Sequence, residues 1–188
     1  MTRIIAGFAG SLSLAVPGAG TRPTSDRVRE AIFSALESRD ALQDARVVDL
    51  FAGSGALGLE AASRGAASVT LVERDAAAAR ACRGNTARIL RNAPKGGEPR
   101  IAVAAQAVQT FLDTSSATWD LALLDPPYGV GEEELARALG ALLPRLAAES
   151  IILVERASKA PEPAWPAGIT LDRRKDYGDT TLWWASAD

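Results

Sequence analysis

The segment RVVDLFAGSGALG, residues 46–58, constrains the fold more strongly than any other part of this sequence. An apolar run of strand length leads into Gly53, Gly55 and Gly58, and a stretch rich in alanine and leucine follows. Glycines at a strand-to-helix junction let the backbone turn sharply and come close to a ligand. The segment therefore predicts a strand, a tight ligand-binding turn and a helix that packs back on the strand.

Apolar runs of strand length alternate with segments of helical periodicity along most of the remaining chain. The predicted strands cover residues 46–51, 68–73, 100–105, 119–125 and 150–156, and residues 169–186 form two more strands joined at Tyr177-Gly178-Asp179. Such alternation is typical of a parallel sheet with helices on both faces. The predicted fold class is α/β and Rossmann-like: a mostly parallel seven-stranded sheet, a C-terminal antiparallel hairpin and a small N-terminal β-hairpin extension.

The N-terminal part is expected to lie outside this sheet. The runs RIIAGF and LSLAV flank a Gly-Ser turn and predict a β-hairpin, so residues 1–20 are taken as the extension and residues 21–188 as one domain. A helix capped by Thr24 or Ser25 should follow, with Arg27 and Arg29 on the face opposite its apolar residues. In the last strand, Trp183 and Trp184 alternate, and one of them is expected in a lid or an interface.

Composition removes several classes of chemistry. The chain has no histidine and one cysteine, which excludes Ser-His-Asp and Cys-His nucleophiles and a cysteine-cluster metal site, so no metal is expected. No apolar run reaches the roughly 18 residues of a membrane span, and the N-terminus lacks the features of a signal peptide. A cytoplasmic location without a membrane partner is therefore expected.

Two carboxylates accompany the glycine turn and indicate which cofactor it binds. Asp49 precedes the turn within the same strand, and Glu73 ends the next strand, where an acid can accept ribose hydroxyls. A carboxylate assists a cationic sulfonium and ammonium but not a pyrophosphate, which favours S-adenosyl-L-methionine; the literal match to G-x-G-x-x-G keeps a nicotinamide dinucleotide as the alternative. The cofactor-binding residues predicted from these strand ends are Asp49, Phe51, Gly53, Ser54, Gly55, Glu73, Arg74, Gln106 and Asp125.

The tetrapeptide Asp125-Pro126-Pro127-Tyr128 follows the fourth parallel strand and is predicted to be catalytic. A diproline stiffens the turn and lacks backbone donors, so carbonyl acceptors point into the pocket. The Asp125 carboxylate and the Pro126 carbonyl can each accept an N–H of an exocyclic amine, and Tyr128 offers a face for an unstacked base. The pattern predicts methylation of an amine.

Taken together, the motifs TRPTSDRVREAIF, VVDLFAGSGALGLEAASRGA, LVERD, LLDPPY and YGDT resemble the bacterial 16S ribosomal RNA guanine-N2 methyltransferases of the RsmD type, specific for guanine 966. The resemblance covers nearly the whole chain. It implies the fold of an S-adenosylmethionine-dependent methyltransferase and methylation of the N2 amine of one guanine in the assembled or assembling small ribosomal subunit. The protein is expected to be a monomer. The resemblance also implies cofactor contacts by Arg22 and Thr24, and RNA contacts by Arg22, Arg27, Arg29 and Tyr128.

The residues leave two other functions open. A DNA adenine-N6 or cytosine-N4 methyltransferase would use the same DPPY, although no segment is left for a target-recognition region. A non-catalytic ribosome assembly factor that binds the cofactor would need a defect outside these motifs, all of which are present.

The N-terminal segment FAGSLSLAV departs from the resembled family, whose members usually carry several basic residues there. Either RNA affinity has moved to Arg22, Arg27, Arg29 and the basic residues of 80–100, or the hairpin contributes shape alone; we expect the first. The arginines of residues 76–91 share one broad helical face, which is either an RNA-facing strip or a solvated surface.

Overall fold

The computed structural model describes residues 2–17 and 25–188. Its strands are β1 (Thr2–Arg3), β2 (Ser13–Leu14), β3 (Arg46–Leu50), β4 (Ser68–Val72), β5 (Arg100–Ala104), β6 (Trp119–Leu124), β7 (Leu146–Ala157), β8 (Ile169–Tyr177) and β9 (Thr180–Ala187). Its helices are α1 (Asp26–Glu37), α2 (Ala56–Ser63), α3 (Ala76–Leu90), α4 (Val108–Thr114) and α5 (Glu132–Leu142), and a 3₁₀ turn follows at Leu143–Arg145.

Seven of these strands form one sheet in the order β5-β4-β3-β6-β7-β9-β8. The first five strands in that order pair in parallel, whereas β9 is antiparallel to both β7 and β8. β1 and β2 form a separate antiparallel pair. The predicted fold class is thereby confirmed, including the C-terminal antiparallel hairpin and the small N-terminal one.

Helices cover both faces of the sheet, so the core has two halves. Val47 and Val48 are consecutive residues of β3 that point to opposite faces, and they belong to different buried clusters. The cluster around Val47 takes its helical residues from α1, α2 and α3, and the cluster around Val48 takes them from α4 and α5. Trp183 and Trp184 are both buried, one in each cluster, so the expectation that one lies in a lid or an interface is wrong.

α2 is buried on almost every side because the N-terminal segment covers the face that the sheet does not. The buried Glu60 carboxylate accepts the backbone N–H groups of Ile5 and Ala6 at 2.7 and 3.0 Å. One turn further along, the Ser63 hydroxyl accepts the Ala9 N–H and donates to the Ala6 carbonyl. The apolar composition of α2 follows from this double covering.

The N-terminal strands are shorter than the sequence predicts. β1 and β2 contain two residues each, and Ile4, Ala9 and Leu14 are buried in the same cluster as α1, α2 and α3. Backbone pairing continues only as far as Ile4, whose N–H donates to the Leu12 carbonyl and whose carbonyl accepts the Ser11 N–H. The residues between them follow the surface of α2, because the amides at positions 5, 6, 8 and 9 bond to Glu60 and Ser63. The division at residue 20 into an extension and a domain stays a prediction.

No helix in the described ranges, 2–17 and 25–188, combines the length and the apolar character that crossing a membrane requires.

Gly7 tests whether the N-terminal segment is held against α2 as described. Its φ is +78°, and an added Cβ would lie 1.9 Å from the Ser63 carbonyl oxygen. Gly7→Ala should therefore lower the free energy of unfolding by at least about 2 kcal/mol, measured by urea denaturation. Gly10→Ala is the control, since its Cβ would meet the Gly7 carbonyl oxygen at an ordinary 3.4 Å. Equal stability of the two variants would contradict this packing.

Candidate functional site

The carboxyl ends of four parallel strands meet at one edge of the sheet. Leu50 is in register with both Val72 and Leu124, and Val72 is in register with Ala104. The residues that follow these strand ends therefore lie side by side at this edge. They include Phe51, Glu73, Gln106 and Asp125, and the glycine turn begins among them.

The glycine turn consists of alternating left-handed residues. Phe51, Gly53 and Gly55 have φ values of 67°, 56° and 82°. A Cβ on Gly53 would meet nothing within 4 Å, so protein packing leaves open space on this side of the turn. A left-handed phenylalanine is strained, and such strain persists at ligand-binding sites where the surrounding structure enforces it. The turn is shaped to leave room next to its backbone.

Behind the turn, Asp49 and Gly58 join the strand to the helix. The Asp49 carboxylate is 1% exposed, and its Oδ2 accepts the Gly58 N–H at 2.8 Å. A Cβ on Gly58 would lie 2.4 Å from the Leu71 side chain and 2.9 Å from that of Val69, so only glycine permits this approach of α2 to the sheet. Asp49 Oδ1 is buried and has no hydrogen-bond partner in the described part of the chain. A buried acceptor of this kind requires a donor.

The electrostatics of this edge favour a cation. Burial, followed by the negative charges of Asp125 and Glu73, raises the pKa of Asp49 from its ordinary 3.8 to about 8 although the Gly58 amide opposes the shift. A ligand with a negative charge would be repelled by the Asp125 and Glu73 carboxylates, whereas an ammonium or sulfonium group would be attracted by them. A pyrophosphate is therefore a poor occupant, which argues against the dinucleotide alternative.

Glu73 and Cys82 support the turn from the neighbouring strand and helix. Glu73 Oε2 accepts the Gly53 N–H at 2.9 Å, and Oε1 accepts the Asp75 N–H at 2.7 Å. Each oxygen keeps a second lone pair, so this carboxylate is held in place and can still accept hydroxyl donors. The Cys82 thiol donates to the Gly53 carbonyl, and burial, with nearby Asp49 and Glu73, raises its pKa to about 12. Cys82 is thus a neutral donor and not a nucleophile.

The DPPY turn leaves the same sheet edge directly after β6. The Pro127 carbonyl accepts the Val130 N–H at 2.9 Å, which closes the turn. The Pro126 carbonyl has no hydrogen-bond partner within residues 2–17 and 25–188, and the Tyr128 side chain is 80% exposed. Packing of Tyr128 in the core is thereby excluded. A free carbonyl and an exposed ring stand beside the half-buried Asp125.

Comparison with known proteins agrees with this arrangement. Residues 2–186 match the family model described as conserved hypothetical protein 95. Ribosomal RNA small subunit methyltransferase D of Escherichia coli K12 is 39% identical over 177 residues, which cover 94% of this chain and 85% of that protein. The chain belongs to this family. The Haemophilus influenzae protein of the same name is 33% identical over 179 residues, covering 94% of this chain and 89% of its own length.

Solved structures share the fold of this methyltransferase D family member. An Escherichia coli structure described as a methyltransferase candidate matches with a TM-score of 0.84 at 33% identity, covering 100% of this chain and 98% of its own. Magnesium protoporphyrin IX methyltransferase from Synechocystis, solved with bound S-adenosylmethionine, matches with a TM-score of 0.67 at 14% identity, covering 91% and 87%. The predicted fold of S-adenosylmethionine-dependent methyltransferases is confirmed.

The other predicted cofactor contacts lie around this edge or outside the described residues. Arg74 is exposed after Glu73, and Gln106 is half-buried after β5. Arg22 and Thr24 lie outside the described residues. These four contacts stay predictions, as do the cofactor contacts predicted at Asp49, Phe51, Gly53, Ser54, Gly55, Glu73 and Asp125.

The structure corrects one predicted RNA contact of this family member. Arg29 lies on the buried face of α1 and is 0% exposed. Its Nη2 donates to the Arg3 carbonyl at 2.8 Å and to the Asp26 carboxylate at 2.6 Å. Arg29 therefore anchors the N-terminal segment and offers no charge to RNA, whereas Arg27 is exposed. The prediction that Arg29 lies opposite the apolar residues is wrong because, at 100° per residue, Arg29 lies between Leu36 and Phe33 on the helix surface, within the arc of buried apolar residues.

Asn85 supports the glycine turn, although the sequence does not predict it as a site residue. It is fully buried on α3; its amide nitrogen donates to the carbonyls of Ala15 and Ser54, and its oxygen accepts the Ala15 N–H at 2.8 Å. The residue thus ties the N-terminal segment to the glycine turn. Its position between Cys82 and Ile89 on the apolar face of the helix was the available signal.

Asp49→Asn tests the raised pKa, since it keeps an acceptor for the Gly58 amide and removes the titrating carboxyl. The unfolded chain releases the Asp49 proton near pH 3.8 and the folded protein near pH 8, so the wild-type protein loses stability as the pH rises between these values. The variant lacks this loss. Urea unfolding should show its stability advantage growing from pH 4 to pH 8.

The matched control is Asp172→Asn, which removes an exposed carboxylate from β8. The difference in the free energy of unfolding between this variant and the wild-type protein should not grow between pH 4 and pH 8. If the stability difference between Asp49→Asn and the wild-type protein did not change with pH, the assignment of Asp49 as a buried carboxyl that holds its proton would be contradicted.

Proposed function

We propose that this protein transfers a methyl group from S-adenosyl-L-methionine to the exocyclic N2 amine of a guanine in 16S ribosomal RNA. The observation that carries the proposal is the position of the DPPY turn at the same sheet edge as the glycine turn. One turn suits a cationic cofactor and the other an amine acceptor. Membership of the methyltransferase D family supports the assignment to small-subunit RNA.

The residues at the sheet edge fit the proposed cofactor. Asp49 Oδ1 is buried and has no hydrogen-bond partner in the described residues. The cofactor's ammonium group would favour the ionised form of this carboxyl, which would then accept it, directly or through water. Glu73 would accept the ribose hydroxyls, and the open space at Gly53 would admit the ligand beside the backbone. When bound, S-adenosyl-L-methionine supplies an electrophilic methyl group on a sulfonium.

The DPPY turn would orient the acceptor. The Asp125 carboxylate and the Pro126 carbonyl would each accept one N–H of the amine, which turns the nitrogen lone pair away from them. Tyr128 would stack on the base once it leaves its helical stack. The methylated nitrogen would lose its extra proton to the Asp125 carboxylate or to water. This scheme needs no strong base, because the methylated cationic nitrogen is acidic and because orientation and fixed polar groups account for much of the barrier reduction. The absence of histidine from the sequence is consistent with it.

Three further parts of the proposal concern the setting. The substrate is the small ribosomal subunit or an assembly intermediate, the enzyme acts as a monomer, and its location is the cytoplasm. Guanine 966 is the nucleotide implied by the resemblance to the RsmD type.

Asp125→Ala tests the division of labour between the two turns. We expect kcat for methylation of small subunits, purified from cells that lack the gene, to fall at least about 100-fold because the amine loses an acceptor. The affinity for S-adenosylhomocysteine, measured by calorimetry, should fall much less than kcat, because Asp125 is one of several predicted cofactor contacts and the glycine turn is unchanged.

Gly55→Ala is the opposite variant. Its Cβ would lie 3.1 Å from the Leu71 side chain and 3.2 Å from the Leu59 side chain at a φ of +82°. The glycine turn should therefore shift, and the affinity for S-adenosylhomocysteine should fall more than kcat. Equal loss of cofactor affinity in both variants would contradict the assigned roles. Binding of NAD instead of S-adenosylhomocysteine by the wild-type protein, or transfer of label to duplex DNA, would contradict the proposed function.

A further inference from the structure

α3 presents a strip of unpaired arginines to solvent. Four arginines of this segment are exposed, and none of them forms an ion pair within the described residues: Arg80, Arg83, Arg88 and Arg91. At 100° per residue they lie within an arc of about 140° on the helix, and they span about 16 Å along its axis. The chain as a whole carries a net charge of −2, so this strip contrasts with the rest of the molecule.

Some other arginines of the described residues have a structural role. Several are paired with carboxylates in the structure: Arg29, Arg46, Arg64, Arg156 and Arg174. Arg64, for example, lies between Glu30, Glu37 and Glu60. Within residues 2–17 and 25–188 the four arginines of the strip form no such ion pair. Other exposed arginines, such as Arg27 and Arg137, also form none, and the strip differs from them in placing four arginines on one side of one helix.

Small residues lie along the middle of the strip. Gly84 and Ala87 are exposed between the arginines, and a Cβ on Gly84 would meet nothing within 4 Å. Glycine in a helix interior is unfavourable relative to alanine, and no packing contact requires it here. Together with the flanking guanidinium groups, it forms a low surface that an anionic chain can approach closely.

The strip ends in a groove. Arg88, Arg91 and Asn92 line one side of an open groove of about 590 Å³, and Ser11, Leu12 and Ser13 of the N-terminal segment line the other. Guanidinium groups facing serine residues are a combination that contacts phosphate oxygens in nucleic-acid complexes. The groove lies at the end of α3 remote from Glu73, about 20 Å from Asp75 by helical rise.

We propose that this surface, the α3 strip with its groove, binds the phosphodiester backbone of the substrate RNA. The inference rests on the proposed function and adds a second RNA contact, remote from the DPPY turn. RNA is favoured over an acidic protein because the cations are all arginines, are separated by small residues and end in a hydroxyl-lined groove. The contact would fix the position of the RNA without reading its sequence.

The double variant Arg88→Gln/Arg91→Gln tests the charge. The KM for small subunits from cells lacking the gene should rise at least about 10-fold, whereas kcat and S-adenosylhomocysteine affinity stay unchanged. For binding to a naked 16S transcript, the slope of log K against log salt should decrease in magnitude by about 1.4 to 1.8, the value for two phosphate contacts. Arg137→Gln/Lys159→Gln removes the same charge from exposed positions elsewhere and should change neither quantity.

Gly84→Gln tests the shape without changing the charge. Glutamine is the better helix former, so the melting temperature should rise, but its side chain fills the low surface and RNA affinity should fall. Gly140 is the matched control: it is also an exposed glycine within a helix, α5, with nothing within 4 Å of an added Cβ. Gly140→Gln should raise the melting temperature and leave RNA binding unchanged.

The outcomes separate this inference from the proposed function. If the wild-type protein methylates neither particles nor RNA, the proposed function fails. If it methylates them, and the Arg88/Arg91 and Gly84 variants keep wild-type KM and salt slope, the strip is only a solvated face and the inference fails. If the variants bind particles weakly but naked RNA normally, the partner is a ribosomal protein, and the RNA assignment is overturned.

Discussion

The hydrogen bond from the Gly58 amide to the buried Asp49 carboxylate is the contact on which the site depends. It holds the first turn of α2 against β3, and Gly58 is the residue that lets the helix come so close. The chain must then make its strand-to-helix reversal in a few residues, which forces Phe51, Gly53 and Gly55 into left-handed conformations. The space beside the turn and the unpaired Asp49 oxygen are both results of this arrangement.

The N-terminal segment is part of the same structure. It covers α2 through Glu60 and Ser63 and is tied to the glycine turn by Asn85, which bonds to both Ala15 and Ser54. The segment also forms one wall of the groove beside Arg88 and Arg91. The stretch between Ala6 and Val16 has no basic residue, yet it helps to position the glycine turn. It also forms one wall of a basic surface whose positive charge comes from the arginines of α3.

Much of this could be predicted from the sequence, because periodicity and turn residues report local structure. The sheet, its final hairpin and the common edge of the glycine and DPPY turns follow from alternating apolar runs and from the rule that parallel strands end at one edge. Burial from tertiary packing could not be predicted. Helical spacing places Arg29 among the apolar residues of α1, but the Arg3 carbonyl and the Asp26 carboxylate that let its charge stay buried are seen only in the structure. Trp183 and Trp184 are both buried because helices cover both faces of the sheet.

The central claim is that the amine methylated by this protein belongs to a guanine of small-subunit RNA. Mass spectrometry of nuclease-digested 16S RNA, from cells with and without the gene, tests it most directly. The account predicts that one N2-methylguanosine disappears in the deletion and returns with the wild-type gene but not with Asp125→Ala. An unchanged set of methylated nucleotides, or loss of a methyl group from a base other than guanine, would contradict it.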